Sequence, residues 1–189
     1  MSAPHVRIVD PHDAASTPTW RAYVELTKPR IIELLLITTV PAMIVAADGW
    51  PGTWLVIATL IGGTLSAGGA NAINQVIDRD IDAVMRRTSG RPLPTSRVRP
   101  GGALVFGVVL GLAGFAWLWA TTNLLAAALS SAGLLFYVFV YSLFLIRGTT
   151  ENIVIGGAAG ATPALVGWAA VTGGLALPAW IMFAIIFFW

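Results

Sequence analysis

Asn74, Asp78 and Asp82 stand four residues apart in the stretch "NQVIDRDID". A step of four on an α-helix turns a side chain by only about 40°, so the amide and both carboxylates share a face. They span roughly 12 Å along the axis at about 1.5 Å per residue. Asp80 falls on another face. Hard oxygen donors of this kind suit Mg²⁺, which is usually held by one or two carboxylates together with substrate phosphates. Arg79, Arg86, Arg87 and Arg91 lie in the same stretch, and guanidinium groups offer paired donors to phosphate oxygens. Acids holding Mg²⁺ beside arginines would make a diphosphate site. The competing reading is a solvated interfacial cap with ordinary ion pairs, such as Asp82 with Arg86. Asn71 and Asn74 weigh against it, because they lie toward the apolar side, where an unsatisfied amide is costly.

The elements that must position these groups are apolar. Of 189 residues, 57% are hydrophobic and 11% charged, against about 25% charged in a soluble domain. The runs 31–47, 54–77, 103–120, 124–146 and 153–171 lack strict alternation and are long enough to cross a bilayer as helices. A sixth run begins at 175 and is still apolar at Trp189. The expected fold class is therefore all-α: a polytopic transmembrane bundle with about five complete helices and one partial one. Residues 1–22 read as an N-terminal tail and 23–189 as a partial transmembrane domain. An apolar run without a closing charge suggests C-terminal truncation, because carbonyls ending in mid-membrane lack partners.

All 11 basic residues fall on one side if the helices alternate. The opposite loops, "ADGWPG", "TTN" and "TGG", contain none. This asymmetry places the N-terminus and the charged loops in the cytoplasm of a multi-pass protein. It also accounts for the net charge of +2 without a nucleic-acid partner. The chain has no cysteine, which excludes disulfide and thiolate chemistry. The first 30 residues hold no secretory apolar region and do contain Asp10, Asp13 and Glu25. A bacterial cytoplasmic membrane is the expected location. Gly107 with Gly111, and Gly156 with Gly160, have the GxxxG spacing. Small residues at this spacing let helices approach closely, or make room between helices for a long apolar ligand. A prenyl diphosphate, with an anionic head and an apolar tail, would suit both halves of this pattern.

The stretch "NQVIDRDID" matches the NxxxDxxxD pattern of the UbiA superfamily of intramembrane prenyltransferases. "DRDIDAVMRRTSGRPLP", "LTKPRIIELLLITTVPAMIVA" and "YSLFLIRGTTENIVIGGAAGATPALVGWAAVTG" resemble its protoheme IX farnesyltransferase (heme O synthase) branch. The resemblance covers about residues 20–189. It implies a nine-helix bundle and a Mg²⁺-dependent transfer of farnesyl from farnesyl diphosphate to a vinyl group of heme B. The product is heme O, a precursor of heme A, with handover to a heme A synthase. Carried over by position, Asn74, Asp78 and Asp82 hold Mg²⁺ and diphosphate. Arg86, Arg91, Lys28 and Arg147 serve diphosphate or heme propionates. Asn71, Tyr141, Thr149 and Asn152 line the site.

Departures from the family pattern bear on activity. The family carries a second aspartate-rich motif and a histidine-containing stretch, and this sequence ends before both. His5 and His12 lie in the tail and are not expected to ligate heme iron. Half of a two-motif site implies an inactive fragment. Two alternatives stay open: a UbiA-type enzyme with another aromatic or tetrapyrrole acceptor, and a non-catalytic transport or assembly subunit.

Overall fold

The computed structural model describes the backbone of residues 19–145 and 152–188, with side chains except at 143–145 and 152–155. Helix α1 (Thr19–Thr27) stops at Lys28, whose backbone is left-handed at φ 53° and ψ 66°. Left-handed residues commonly end helices. Pro29 then opens α2 (Pro29–Ala46), at a position where its missing N–H costs nothing. "TKPR" is thus a stop followed by a start. Next come α3 (Thr53–Ile77), the short α4 (Arg79–Val84), α5 (Pro100–Thr121) and α6 (Leu124–Leu135). A π-helical segment, Phe136–Leu145, continues α6. The chain ends with α7 (Asn152–Thr172) and α8 (Leu177–Phe188).

Among the described residues the fold is all-helical, as the apolar runs predict. Pro29–Ala46, Thr53–Ile77, Pro100–Thr121 and Leu124–Ser142 are each long and apolar enough to cross a membrane. The 21-residue α7 covers the fifth expected run, and α8 is a shorter apolar helix. Leu34 and Ile37 of α2 and Val105, Val109 and Leu112 of α5 are exposed, as lipid-facing residues of a multi-pass protein are.

Helix α3 packs chiefly on α5, and α2 on α7. The α3–α5 contact is made by backbone. A Cβ on Gly69 would lie 2.6 Å from the Gly107 carbonyl oxygen, and one on Gly114 would lie 2.9 Å from the Ser66 nitrogen. Lipid supplies no hydrophobic drive between helices, so this close approach is what holds the pair. The other GxxxG pair divides its roles. Gly156 lies against the Tyr141 ring, whereas a Cβ on Gly160 would meet nothing within 4 Å. Gly160 lines a cavity between helices.

The α4–α5 connection packs as part of the core. Leu93 and Val98 are buried with Ala22 and Leu26 of α1, Ala72 of α3 and Ala103 of α5. Helix α1 thus crosses position 23 and joins this cluster. Arg97 donates to Glu25 at 2.8 Å and to the Gly90 carbonyl at 3.0 Å, tying the connection to α1 and to itself.

Replacing Gly107 by Val is expected to lower stability by about 3 kcal/mol, the upper end for overpacking, because backbone opposes the new atoms. Gly101→Ala should leave stability unchanged, since a Cβ there meets nothing within 4 Å. Unfolding of both variants in detergent micelles checks the pair.

Candidate functional site

The sequence pattern treats Asn74, Asp78 and Asp82 as one continuous helical stripe. The structure breaks the helix at Asp78, which caps α3 at φ −90° and ψ 8°. The three side chains nevertheless stay together. The Asp78 N–H still bonds the Asn74 carbonyl at 2.9 Å, and the Asp82 N–H bonds the Asp78 carbonyl at 2.8 Å. The four-residue step therefore survives the break. Relative exposures are 3%, 7% and 4% for Asn74, Asp78 and Asp82, whereas Asp80 is exposed.

Asn74 is the hub. Its Nδ2 donates to Asp78 Oδ2 at 2.6 Å and to Ser142 Oγ at 2.8 Å. Its Oδ1 accepts from Lys28 Nζ at 2.9 Å and from the Tyr137 hydroxyl at 3.4 Å. The amide's direction follows from its neighbours. Ser142 Oγ donates to the Tyr137 carbonyl at 3.0 Å, so its lone pair faces Asn74 and demands an N–H there. Asp78 makes the same demand. The amide oxygen is left to face the ammonium. The π-helical segment matters here, because it brings Tyr137 and Ser142, five residues apart, into this contact.

Lys28 reaches Asn74 because its left-handed backbone turns the chain sharply between α1 and α2. Burial lowers its pKa from 10.5 to about 8, and the positive charge of Arg91 adds to the shift, while Asp82 and Asp78 oppose it. Asp82 has its own partner. Arg91 Nη1 donates to both carboxylate oxygens at 2.7 Å. Helical spacing suggests Arg86 for this pairing, but Arg86 is exposed. The connection supplies Arg91 instead. Thr88 Oγ1 donates to the Asp82 carbonyl at 3.0 Å, and Thr95 Oγ1 to the Arg91 carbonyl at 2.7 Å.

Below this polar cluster lies a cavity of about 290 Å³ between α2, α3, α6 with its π segment, and α7. Asn71, Tyr137 and Tyr141 line it on the polar side. Asn71 Nδ2 also donates to the Thr27 carbonyl at 2.8 Å. Tyr137 and Tyr141 stack with centroids 5.2 Å apart. Most of the remaining wall is aliphatic or glycine. The polar cluster and the cavity thus share Tyr137, which bonds Asn74 and lines the wall.

A profile of the UbiA prenyltransferase family matches residues 35–189. The chain belongs to the UbiA prenyltransferase family. It is 57% identical to protoheme IX farnesyltransferase 2 of Saccharopolyspora erythraea over all of its own length and 57% of that relative. It is 59% identical to the protoheme IX farnesyltransferase of Clavibacter michiganensis subsp. michiganensis, over 89% of the chain and 55% of the relative. The corresponding Thermus thermophilus protein is 57% identical over 94% of the chain and 29% of the relative. The chain therefore spans a little over half the length of the first two relatives. No solved structure matches it significantly.

The UbiA motif residues can be tested for a metal. Among the described residues no three His, Cys, Asp or Glu side chains converge. Two buried carboxylates and an amide oxygen do not make an all-protein cage. The two carboxylates fit Mg²⁺ held jointly with substrate phosphates and water, whereas the expected third ligand, the Asn74 oxygen, faces Lys28 and the amide nitrogen faces Asp78. Of the other expected site residues, Lys28, Arg91, Asn71 and Tyr141 lie at or beside this cluster. Arg147 and Thr149 lie outside the described residues, as do His5 and His12. Asn152 opens α7, and its side chain is not described. Sequence reasoning missed Ser142 and Tyr137. A serine in an otherwise apolar span was the available signal for the first.

Lys28 generates a pH prediction. Its folded-state pKa of about 8 means that the ammonium is present below that value and lost above it. Affinity for inorganic diphosphate should fall as pH rises through 8, by at most tenfold per unit. Lys28→Met should flatten this limb. Titration calorimetry between pH 6.5 and 9 checks both. Ser142→Ala removes one acceptor from the buried amide and should cost about 1–3 kcal/mol, with partial rescue by Ser142→Thr in the same unfolding assay.

Proposed function

We propose that the protein transfers a farnesyl group from farnesyl diphosphate to a vinyl group of heme B, giving heme O. One observation carries the reading: a buried carboxylate pair with two cations lies beside Tyr137, which bonds Asn74 and lines an apolar cavity between membrane helices. The relatives named as protoheme IX farnesyltransferases direct it to farnesyl and heme.

In this reading Asp78 and Asp82 would hold Mg²⁺ together with the diphosphate, and Asn74 orients Asp78 through its amide N–H. Mg²⁺ bound there would supply Lewis-acid stabilisation of the diphosphate charge. Lys28 and Arg91 bind diphosphate oxygens, exchanging their present partners for the ligand. Such preorganised cations stabilise the charge that develops on the leaving group. The C–O bond at the allylic carbon breaks with its electron pair going to diphosphate. The vinyl carbon of the acceptor supplies the pair for the new C–C bond. Water then adds to the resulting cation and releases a proton, which gives the hydroxyethylfarnesyl substituent. The apolar wall keeps water from the allylic carbon until the acceptor is in place. Tyr137 and Tyr141 line the polar side of the cavity, and an aromatic ring attracts a cation. The charge asymmetry supports a cytoplasmic N-terminus in a bacterial cytoplasmic membrane.

The protein expressed from its complete gene in membranes should convert heme B to heme O with farnesyl diphosphate and Mg²⁺, read by mass spectrometry. Asp78→Asn and Asp82→Asn should each lower turnover at least about a hundredfold, the scale of losing a principal electrostatic group. Prenylation of a quinone precursor in place of heme would reassign the acceptor. Full turnover in both variants would remove the metal role.

A further inference from the structure

Three consecutive residues at the α1–α2 corner each meet an amide of α3. Gln75 Nε2 donates to the Leu26 carbonyl at 2.9 Å, and Asn71 Nδ2 to the Thr27 carbonyl at 2.8 Å. The next residue, Lys28, donates its ammonium to Asn74 Oδ1 at 2.9 Å. Asn71 and Gln75 are four residues apart and share a face of α3. Asn74 gives its own N–H to Asp78 instead.

Gln75 touches no other part of the site. It is 1% exposed and is not among the residues lining the cavity. Its side-chain hydrogen bond goes to α1, while its Oε1 is buried with no hydrogen-bond partner. A stranded acceptor is destabilising, and a methionine of similar length would leave none. The amide is therefore explained by what its N–H does. Lys28 carries a second cost, because its backbone is left-handed at φ 53°. Such a conformation persists at a non-glycine residue only where the surroundings over-determine it. The two grips on Leu26 and Thr27 fix the chain immediately before the turn and supply that constraint.

We propose that Gln75, together with Asn71, is a positioning residue for diphosphate: it holds the α1 carbonyls so that the Lys28 turn keeps the ammonium at the Asn74 cluster. This role rests on the proposed function, in which Lys28 binds the diphosphate. Without the grip the corner relaxes, and a strongly hydrated ammonium on a flexible stem turns toward water. The ligand must then recruit and order the cation itself, which lowers affinity. Arg91 is held from the other side, by Asp82 and by the Thr95 bond to its carbonyl, so its contribution stays.

The test is titration calorimetry of inorganic diphosphate with Mg²⁺ at pH 7, on the protein in lipid nanodiscs. A ligand without a tail does not sense the cavity wall that Asn71 lines. Gln75→Met keeps the length of the side chain and removes its donor. It should weaken binding about tenfold, close to the loss in Lys28→Met. The double variant should bind no more weakly than Lys28→Met alone, since coupled residues are not additive. Asn71→Leu should follow the same pattern in both backgrounds, and it carries the test if Gln75→Met does not fold. Wild-type affinity in Gln75→Met and Asn71→Leu would overturn the proposal. A further loss on top of Lys28→Met would also overturn it, because that is damage not routed through the lysine. Unchanged affinity in Lys28→Met would overturn the role of Lys28 and the positioning with it. Absence of diphosphate binding by the wild type would overturn the proposed function itself.

Discussion

An amide buried among membrane helices has no water to satisfy it, and α3 carries three within five residues. Asn71, Asn74 and Gln75 are all buried. Their pairing organises the charged end of the molecule. Asn71 donates to the Thr27 carbonyl and Gln75 to the Leu26 carbonyl, at 2.8 and 2.9 Å. Those acceptors end α1, where helix carbonyls lack partners of their own. One helix's surplus donors thus meet another's surplus acceptors. Helix α1 is docked by this exchange, and the chain must then turn at once to enter α2. Lys28 makes that turn in a left-handed conformation, which brings its ammonium to Asn74.

The same constraint governs the charges. Two carboxylates in a largely desolvated place require cations nearby, and the fold supplies one from each side. Lys28 comes from the α1–α2 corner, and Arg91 from the connection before α5. The connection is fixed by packing and by its own hydrogen bonds, with Thr88, Thr95 and Arg97 as the pins. Buried ion pairs contribute little net stability, because desolvation offsets their attraction. Their value here lies in arrangement. A ligand carrying phosphates and a divalent cation can take over both sets of partners, so charge is exchanged at the site instead of newly buried.

The sequence made some of this legible and hid the rest, for physical reasons. Apolar runs of bilayer length revealed the helices, because α-helices satisfy the backbone in lipid within one segment. The four-residue spacing placed Asn74, Asp78 and Asp82 together even though the helix breaks at Asp78. The break leaves the hydrogen bonds of the four-residue step in place, so the rotation per residue hardly changes. The partner of Asp82 was not legible. Helical spacing names Arg86, while the partner comes from an irregular connection whose path depends on Leu93 and Val98 packing beneath α1. Ser142 and Tyr137 were hidden because their pairing needs a π-helical register, which a period of 3.6 does not contain. The glycine pattern announced close contacts. It did not tell that Gly107 meets the Ile73 side chain and the backbone of α3, Gly156 a tyrosine ring and Gly160 open cavity.

The central claim is that the Asn74 cluster is a head site continuous with the cavity between α2, α3, α6 and α7. A structure of the protein with the unreactive thio-analogue of farnesyl diphosphate and Mn²⁺ in place of Mg²⁺ tests it most directly. The account predicts an anomalous Mn²⁺ peak between Asp78 and Asp82, diphosphate contacting Lys28 and Arg91, and the tail inside the cavity. A diphosphate bound away from these residues, or a tail outside the cavity, would contradict it.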